Sequence, residues 1–252
     1  MKRGTGCLAD PPGKYLKLDI SSLHVPKSIG FSDLRKFSTN RQDQGNTQSC
    51  VAQAVVKALE IKRCMRYGNE AHVDLSRRQI WYLSREMMNP PRNREDSGTY
   101  ISFACDVLRR FGVAPEADFP WNTDYDQSPT WKSMRKAYLH RITAYRRITS
   151  EGAQRVEDCK AALAAGEPIV FGTAVGNNWF DYKAGAIIYP TDPNDTDGHH
   201  ATTLEGWNGQ YFLDENSWGN NWGLDGYCML HPDVIASDTS HDFWTIQGGW
   251  EA

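Results

Sequence analysis

The chain has 252 residues, 40% of them hydrophobic and 23% charged, a balance that builds an apolar core and excludes a disordered chain. Its net charge is −3 with no long basic run, which excludes the concentrated positive face that nucleic-acid backbones demand. No apolar stretch nears the roughly 20 residues needed to span a bilayer, so neither nucleic acid nor membrane is an expected partner. The length exceeds the roughly 100–200 residues of an ordinary domain and allows one large domain or two lobes sharing a cleft.

In chain order, residues 1–24 read as an irregular leader with turn formers at Pro11, Pro12 and Gly13 and a short alternating piece at Tyr15 to Ile20. Its opening basic residues are followed by glycine, proline and charge instead of the apolar run of a Sec signal. A cytoplasmic location and delivery by a specialised export system are therefore the two expectations. From Val51 the apolar positions Val51, Ala54, Val55, Ala58, Leu59, Ile61 and Met65 have helical spacing, for a helix that starts at Ser49 or Cys50. A second helix is expected over Ser76 to Met88, capped by Ser76 and stopped by Asn89-Pro90-Pro91. A third runs from about Ile101 to Phe111, with Gly112 as a left-handed cap. After the long connection marked by Pro115, Pro120 and Pro129, one more helix spans about Val156 to Ala165. Short β-prone runs follow at 168–171, 186–189, 201–204, 210–213 and 227–230. Helices first and strands later predict an α+β chain of two unlike layers, and clefts between such lobes favour ligand sites.

The six cysteines (Cys7, Cys50, Cys64, Cys105, Cys159, Cys228) are scattered without a CxxC pair, so neither a zinc site nor a dense disulfide framework is expected. Cys105 in a helical pattern and Cys228 in a strand pattern read as small buried hydrophobes. Cys50 differs by its place in the first turn of a helix, where unpaired N–H groups and the helix dipole favour thiolate. Position alone favours an inert buried thiol over a nucleophile, so the question passes to the bases. His24, His72, His140, His199, His231 and His241 lack a catalytic-looking neighbour in sequence and read as surface or hydrogen-bonded residues. His200 instead opens a β-prone run. Asn216 follows the apolar Tyr211-Phe212-Leu213 stretch and precedes two Trp-Gly doublets, Trp218-Gly219 and Trp222-Gly223. The nearby acids Asp192, Asp195 and Asp197 lack the closing glutamate of an EF-hand and read as a solvated turn. No metal or cofactor is expected.

Together these residues resemble the papain-like cysteine peptidases. The run Gln44-Gly45-Asn46-Thr47-Gln48-Ser49-Cys50-Val51 is similar to the family's Gln-Gly-x-Cys-Gly-Ser-Cys-Trp. His200-Ala201 with Gly206-Trp207 resembles its His-Ala segment. Asn216-Ser217-Trp218-Gly219, Trp222-Gly223 and Gly226-Tyr227 resemble its Asn-Ser-Trp-Gly-x-x-Trp-Gly-x-x-Gly-Tyr signature. Val25-Pro26 through Asp33, Ser97-Gly98 and Phe119-Pro120-Trp121 are weaker matches, so the similarity spans about residues 25 to 230. Order agrees, and the cysteine-to-histidine interval is near the family's roughly 130–150 residues.

The resemblance implies a papain-like two-lobe fold: a leader over 1–24, a helical lobe over 25–130 carrying the nucleophile, and an antiparallel, barrel-like β lobe over 131–252 carrying histidine and asparagine. It implies Cys50 as nucleophile, His200 as acid and base, Asn216 as the group that orients the imidazole, Trp218 as its cover and Gln44 as an oxyanion donor. Ser97, Gly98, Gln48 and Gly172 are the expected substrate-binding positions, Gly98 through backbone pairing and Gly172 by leaving room. His199 reads as a solvent-facing loop residue, with modulation of pH range or of a subsite as the functional alternative. The departures are Thr47 for a disulfide cysteine, and Gln48 and Val51 for the glycine and tryptophan beside Ser-Cys. The short stretch before the match leaves any restraint on activity to something other than a long prosegment. The expected partners are a protein or peptide substrate and a separate inhibitor or regulatory protein. A catalytically silent peptide-binding module and a thiol-dependent acyl or amide transferase are the alternatives.

Overall fold

The computed structural model describes residues 3–26 and 30–248. Helix α1 (Cys50–Tyr67) follows a short strand β1 (Cys7–Leu8) and an edge strand β2 (Ser32–Asp33). Its residues from Cys50 to Ile61 are buried without interruption, because the helix lies between a helical layer and a sheet. Even its charged groups are interior and paired: Glu60 accepts from Arg77 at 2.6 Å, and Lys57 reaches Glu215 at 3.0 Å.

The helical layer comprises α2 (Arg77–Glu86), strand β3 (Thr99–Tyr100), α3 (Ile101–Arg110) and α4 (Trp131–Ala137). The Ser76 hydroxyl caps α2 by accepting from the Gln79 N–H, and Gly112, just past α3, has φ 74°, as the sequence pattern predicts. Helix α4 lies beyond the proline-rich connection yet packs back on this layer, where Met134 accepts from Gln79.

The sheet is built from β4 (Ala144–Ile148), β5 (Ile169–Val175), β6 (Ile187–Ile188), β7 (Gly198–Trp207), β8 (Phe212–Glu215), β9 (Tyr227–Leu230) and β10 (Ser240–Gln247), with helices α5 (Gly152–Ala164), α6 (Asn177–Phe180) and α7 (Pro232–Ala236) between them. Its order is β4-β10-β5-β7-β8-β9-β6, with β2 paired to β7. All pairs are antiparallel except β6 with β9. Central β5 is buried at every residue, the mark of a strand covered on both faces. This is the α+β architecture expected from the order of helices and strands.

Two features depart from the sequence reading. Strands β4 and β10 escape it, because β4 is a half-buried edge with Arg146 and Arg147 in it, and β10 is broken by a bulge between His241 and Trp244. The leader, expected to be irregular, pairs at two places. Strand β1 runs parallel to β3, and Lys17 forms a parallel bridge with Arg147 of β4, with the next residue's N–H, that of Leu18, donating to the Arg147 carbonyl at 2.8 Å. Both places offer exposed strand edges whose backbone groups need partners.

Candidate active site

The loop before Cys50 is strapped to the turn after β8. Gln44 N–H donates to the Ser217 carbonyl at 2.9 Å, and Gly219 N–H donates to the Gln42 carbonyl at 2.9 Å. The Gln44 side-chain oxygen accepts from the Ser217 hydroxyl at 2.6 Å. Two sequence motifs more than 160 positions apart are thereby one structural unit.

His200 projects from β7, and Asn216 stands directly after the neighbouring antiparallel strand β8. Asn216 Oδ1 accepts from Ser217 N–H at 2.7 Å and lies 2.8 Å from His200 Nε2. An oxygen already accepting from an amide selects the imidazole tautomer protonated at Nε2, which leaves Nδ1 with its lone pair. That Nδ1 is buried without a hydrogen-bond partner among the described residues. Trp218 covers the pair, its ring 4.7 Å from that of His200, and stacks in turn on Phe180 at 5.3 Å.

The Cys50 thiol lies among backbone N–H groups of Cys50, Val51, Ala201 and Gly6, all of which favour its charged form. Burial nevertheless dominates and pushes Cys50 up to about 12. It also pushes His200 down to about 4, against the bond to Asn216. The helix N-terminus predicted an acidic thiol, but with both side chains fully buried desolvation wins and the pair is thiol and neutral imidazole.

What buries Cys50 is the chain's own leader. The Gly4 carbonyl accepts from Gln44 Nε2 at 3.1 Å. Gly6 N–H donates to the His199 carbonyl at 3.0 Å, and the Gly6 carbonyl accepts from Thr99 N–H at 3.0 Å. Contact is so close that a Cβ on Gly98 would overlap the Gly6 carbonyl, and one on Gly6 would overlap the Gln48 carbonyl. The Cys7 side chain fills the space that Gly172 leaves, against His241. The leader set aside as irregular thus occupies the cleft and takes its donors and acceptors.

The family model for papain family cysteine proteases matches residues 25–247. The chain belongs to the papain family of cysteine proteases. An uncharacterized peptidase C1-like protein of Acanthamoeba polyphaga mimivirus is 31% identical over 239 residues, covering 88% of this chain and 76% of that one. Ananain of Ananas comosus is 27% identical over 235 residues, with 90% and 61% covered. Among solved structures, xylellain, a cysteine protease from Xylella fastidiosa, superposes with TM-score 0.82 at 28% identity, covering 98% of this chain and 96% of the other.

Of the substrate-binding positions expected of a papain-family chain, Gly98, Gln48 and Gly172 all border the leader. Gln48 is held at the rim by Asp96, to which its backbone and side-chain amides both donate at 2.8 Å. Ser97 is turned away: its carbonyl accepts from the Trp81 indole at 2.9 Å, and its hydroxyl is buried against Arg92. His199, expected in a solvent-facing loop, is a half-buried residue of β7 whose Nδ1 lies 3.1 Å from His241 Nε2. The correction has a simple cause, since β7 begins at Gly198 and its pairing with β5 puts His199 opposite Ala174. Residues that the sequence reading missed adjoin this histidine pair: Asp242 on His241, Asp10 on Asp242, and Ser102 and Trp244 on Asp10. The adjacent His241-Asp242 dipeptide is the one local signal among them.

Proposed function

We propose that the protein is a cysteine peptidase that hydrolyses peptide bonds through a Cys50 acyl-enzyme, with Cys50 drawn from the helical layer and His200 and Asn216 from the sheet. The observation that carries this reading is a peptide carbonyl, that of Gly4, held by the Gln44 amide 3.1 Å away in the cleft that contains Cys50. With the leader out and water or substrate in its place, the desolvation that opposes charge is relieved. The N–H groups around the thiol then favour thiolate, and His200 takes the proton. Thiolate attacks the substrate carbonyl, and the developing oxyanion is met by Gln44 Nε2 and the Cys50 N–H. The imidazolium gives its proton to the departing amine as the C–N bond breaks, then the neutral ring takes one from the water that cleaves the thioester. Asn216 holds the ring by Nε2 throughout. Protein substrates fit this cleft as extended chains, and a separate protein inhibitor would bind there by the same backbone bonds.

The test uses the full chain with Gly6→Val, which expels the leader because a side chain there meets the Gln48 carbonyl. A thiol-directed epoxide is expected to modify Cys50, and an unfolded protein substrate is expected to be cleaved, with both lost in Cys50→Ala. A folded chain that neither labels nor cleaves would sink the proposal. Labelling without cleavage favours a binding module, and product joined to an added amine favours a transferase.

A further inference from the structure

Beyond Cys7 the leader ends its run in the cleft at a second, differently built contact. The Asp10 carboxylate accepts at Oδ1 from the Ser102 N–H (3.0 Å) and hydroxyl (2.7 Å), and at Oδ2 from the Trp244 indole N–H at 2.8 Å. Ser102 is the second residue of α3 and Trp244 belongs to β10, both buried, so the donors come from the two layers on either side of the cleft. Both carboxylate oxygens are taken, and the N-terminus of α3 adds its dipole. The Asp10 N–H donates to Asp242 Oδ2 at 2.7 Å, and Asp242 also takes His241 Nδ1 at 2.7 Å. His241 meets His199, whose carbonyl holds Gly6. Arg147 is paired with Asp242, which leaves the Asp10 carboxylate to Ser102 and Trp244. Burial and the neighbouring Asp242 raise Asp10 to about 6 while the Ser102 and Trp244 bonds pull the other way, so at pH 7.5 it is ionised.

We propose that Ser102, Trp244 and the start of α3 form a carboxylate-binding subsite at the far end of the cleft, that Asp10 is its resident ligand and holds the leader over Cys50, and that an acidic side chain on an incoming extended peptide takes the same place. The proposal rests on the reading of the cleft as a peptidase site, but its contacts are independent of turnover. The backbone bonds at Gly4 and Gly6 demand residues without a side chain but read no other feature of the segment in the cleft. The carboxylate supplies a contact that a neutral peptide cannot make, because an amide offers one acceptor where the subsite presents three donors.

The experiment reads the rate at which a small thiol reagent alkylates Cys50 in the full chain at pH 7.5, by peptide mapping, with buried Cys159 as the monitor of global unfolding. Asp10→Asn is expected to label at least about tenfold faster than the parent. Trp244→Phe, which deletes the indole N–H, and Ser102→Ala are expected to label faster too, and Gly6→Val fastest. In a second arm the full chain carrying Gly6→Val and Asp10→Asn receives a synthetic peptide of residues 3–12 bearing Cys7→Ser, or the same peptide with Asp10→Asn. The acidic peptide is expected to protect Cys50, and the amide one is not. Asp10→Asn labelling at the parent rate while Gly6→Val labels fast would overturn the holding role, and equal protection by the two peptides would overturn the carboxylate preference. Gly6→Val no faster than the parent would overturn both. If Asp10→Asn exposes Cys159 as well, Trp244→Phe decides the same question. A chain that opens, labels and is protected but cleaves nothing leaves the subsite standing and removes the peptidase reading.

Discussion

Glu215 and Asn216 are neighbours in sequence, yet they serve two unlike clusters. Glu215 faces Lys57 of α1 at 3.0 Å, Arg41 at 3.4 Å, the Ser38 hydroxyl at 2.6 Å and the Tyr227 hydroxyl at 3.1 Å. Asn216 faces His200 beneath Trp218, with no formal charge in the cluster while Cys50 and His200 are buried. The charged cluster ties α1 to the end of β8, and Lys57 lies two turns along α1 from Cys50 on the same face. The difference separates two tasks: a buried ion pair fixes how the helix that begins at Cys50 meets the strand that ends beside Asn216, and in the proposed mechanism the neutral cluster gains charge when the cleft opens.

The comparison breaks most visibly at Lys57. Lys57→Met removes one of two cations from a buried carboxylate, leaving Arg41 at 3.4 Å, and is expected to cost about 2–3 kcal/mol of stability, the scale of one hydrogen bond to a charged group. Adding Glu215→Gln should recover most of it. Chemical denaturation of the two variants measures both terms, and a loss below about 1 kcal/mol for the single variant would mean that packing, not the ion pair, joins the layers.

On the neutral side the sharpest probe is Gln44→Glu. It keeps the oxygen that accepts from Ser217 but replaces the donor that holds the Gly4 carbonyl. In the leader-free Gly6→Val background, kcat is expected to fall about 10²–10³-fold with little change in KM, as for loss of one oxyanion donor. A fall confined to KM would assign Gln44 to ground-state binding.

These clusters also show which parts of the molecule are legible in its sequence. Two of the three candidate site segments are readable because they are tight local turns whose neighbours are constrained: Gln44 to Cys50 by the strap to Ser217, and Asn216 to Gly223 by the edge-to-face indoles of Trp218 and Trp222. The helix start at Arg77 is readable from its Ser76 cap, and that at Cys50 from the apolar spacing that begins at Val51. The Asp10 seat is not, since Asp10, Ser102 and Trp244 share no local pattern and meet only through the fold. Nor is the protonation of Cys50, because the helix N-terminus is visible in sequence while the desolvation that outweighs it comes from a leader folded across the site.

The smallest expected effect lies within the charged cluster, in which carboxyl keeps its proton. Burial and the adjacent Glu215 raise Glu205 well above the usual glutamate range, whereas Lys57 and Arg41 help hold Glu215 below it. Glu205 therefore remains a carboxylic acid bonded to Glu215, with the Tyr227 hydroxyl oxygen 2.9 Å from Glu205 and 3.1 Å from Glu215. In the unfolded chain the same side chain ionises near pH 4.3. A raised folded-state value means that folding retains a proton which the unfolded chain gives up, so this residue's contribution falls as pH rises above that point. Glu205→Gln imitates the protonated form at every pH. It is expected to match the parent near pH 4 and to be modestly more stable at pH 8, measured by urea denaturation at the two values. A variant less stable than the parent at pH 8 would show that Lys57 and Arg41 hold two ionised carboxylates, and that the tie between α1 and β8 is more strongly charged than the single-proton arrangement allows.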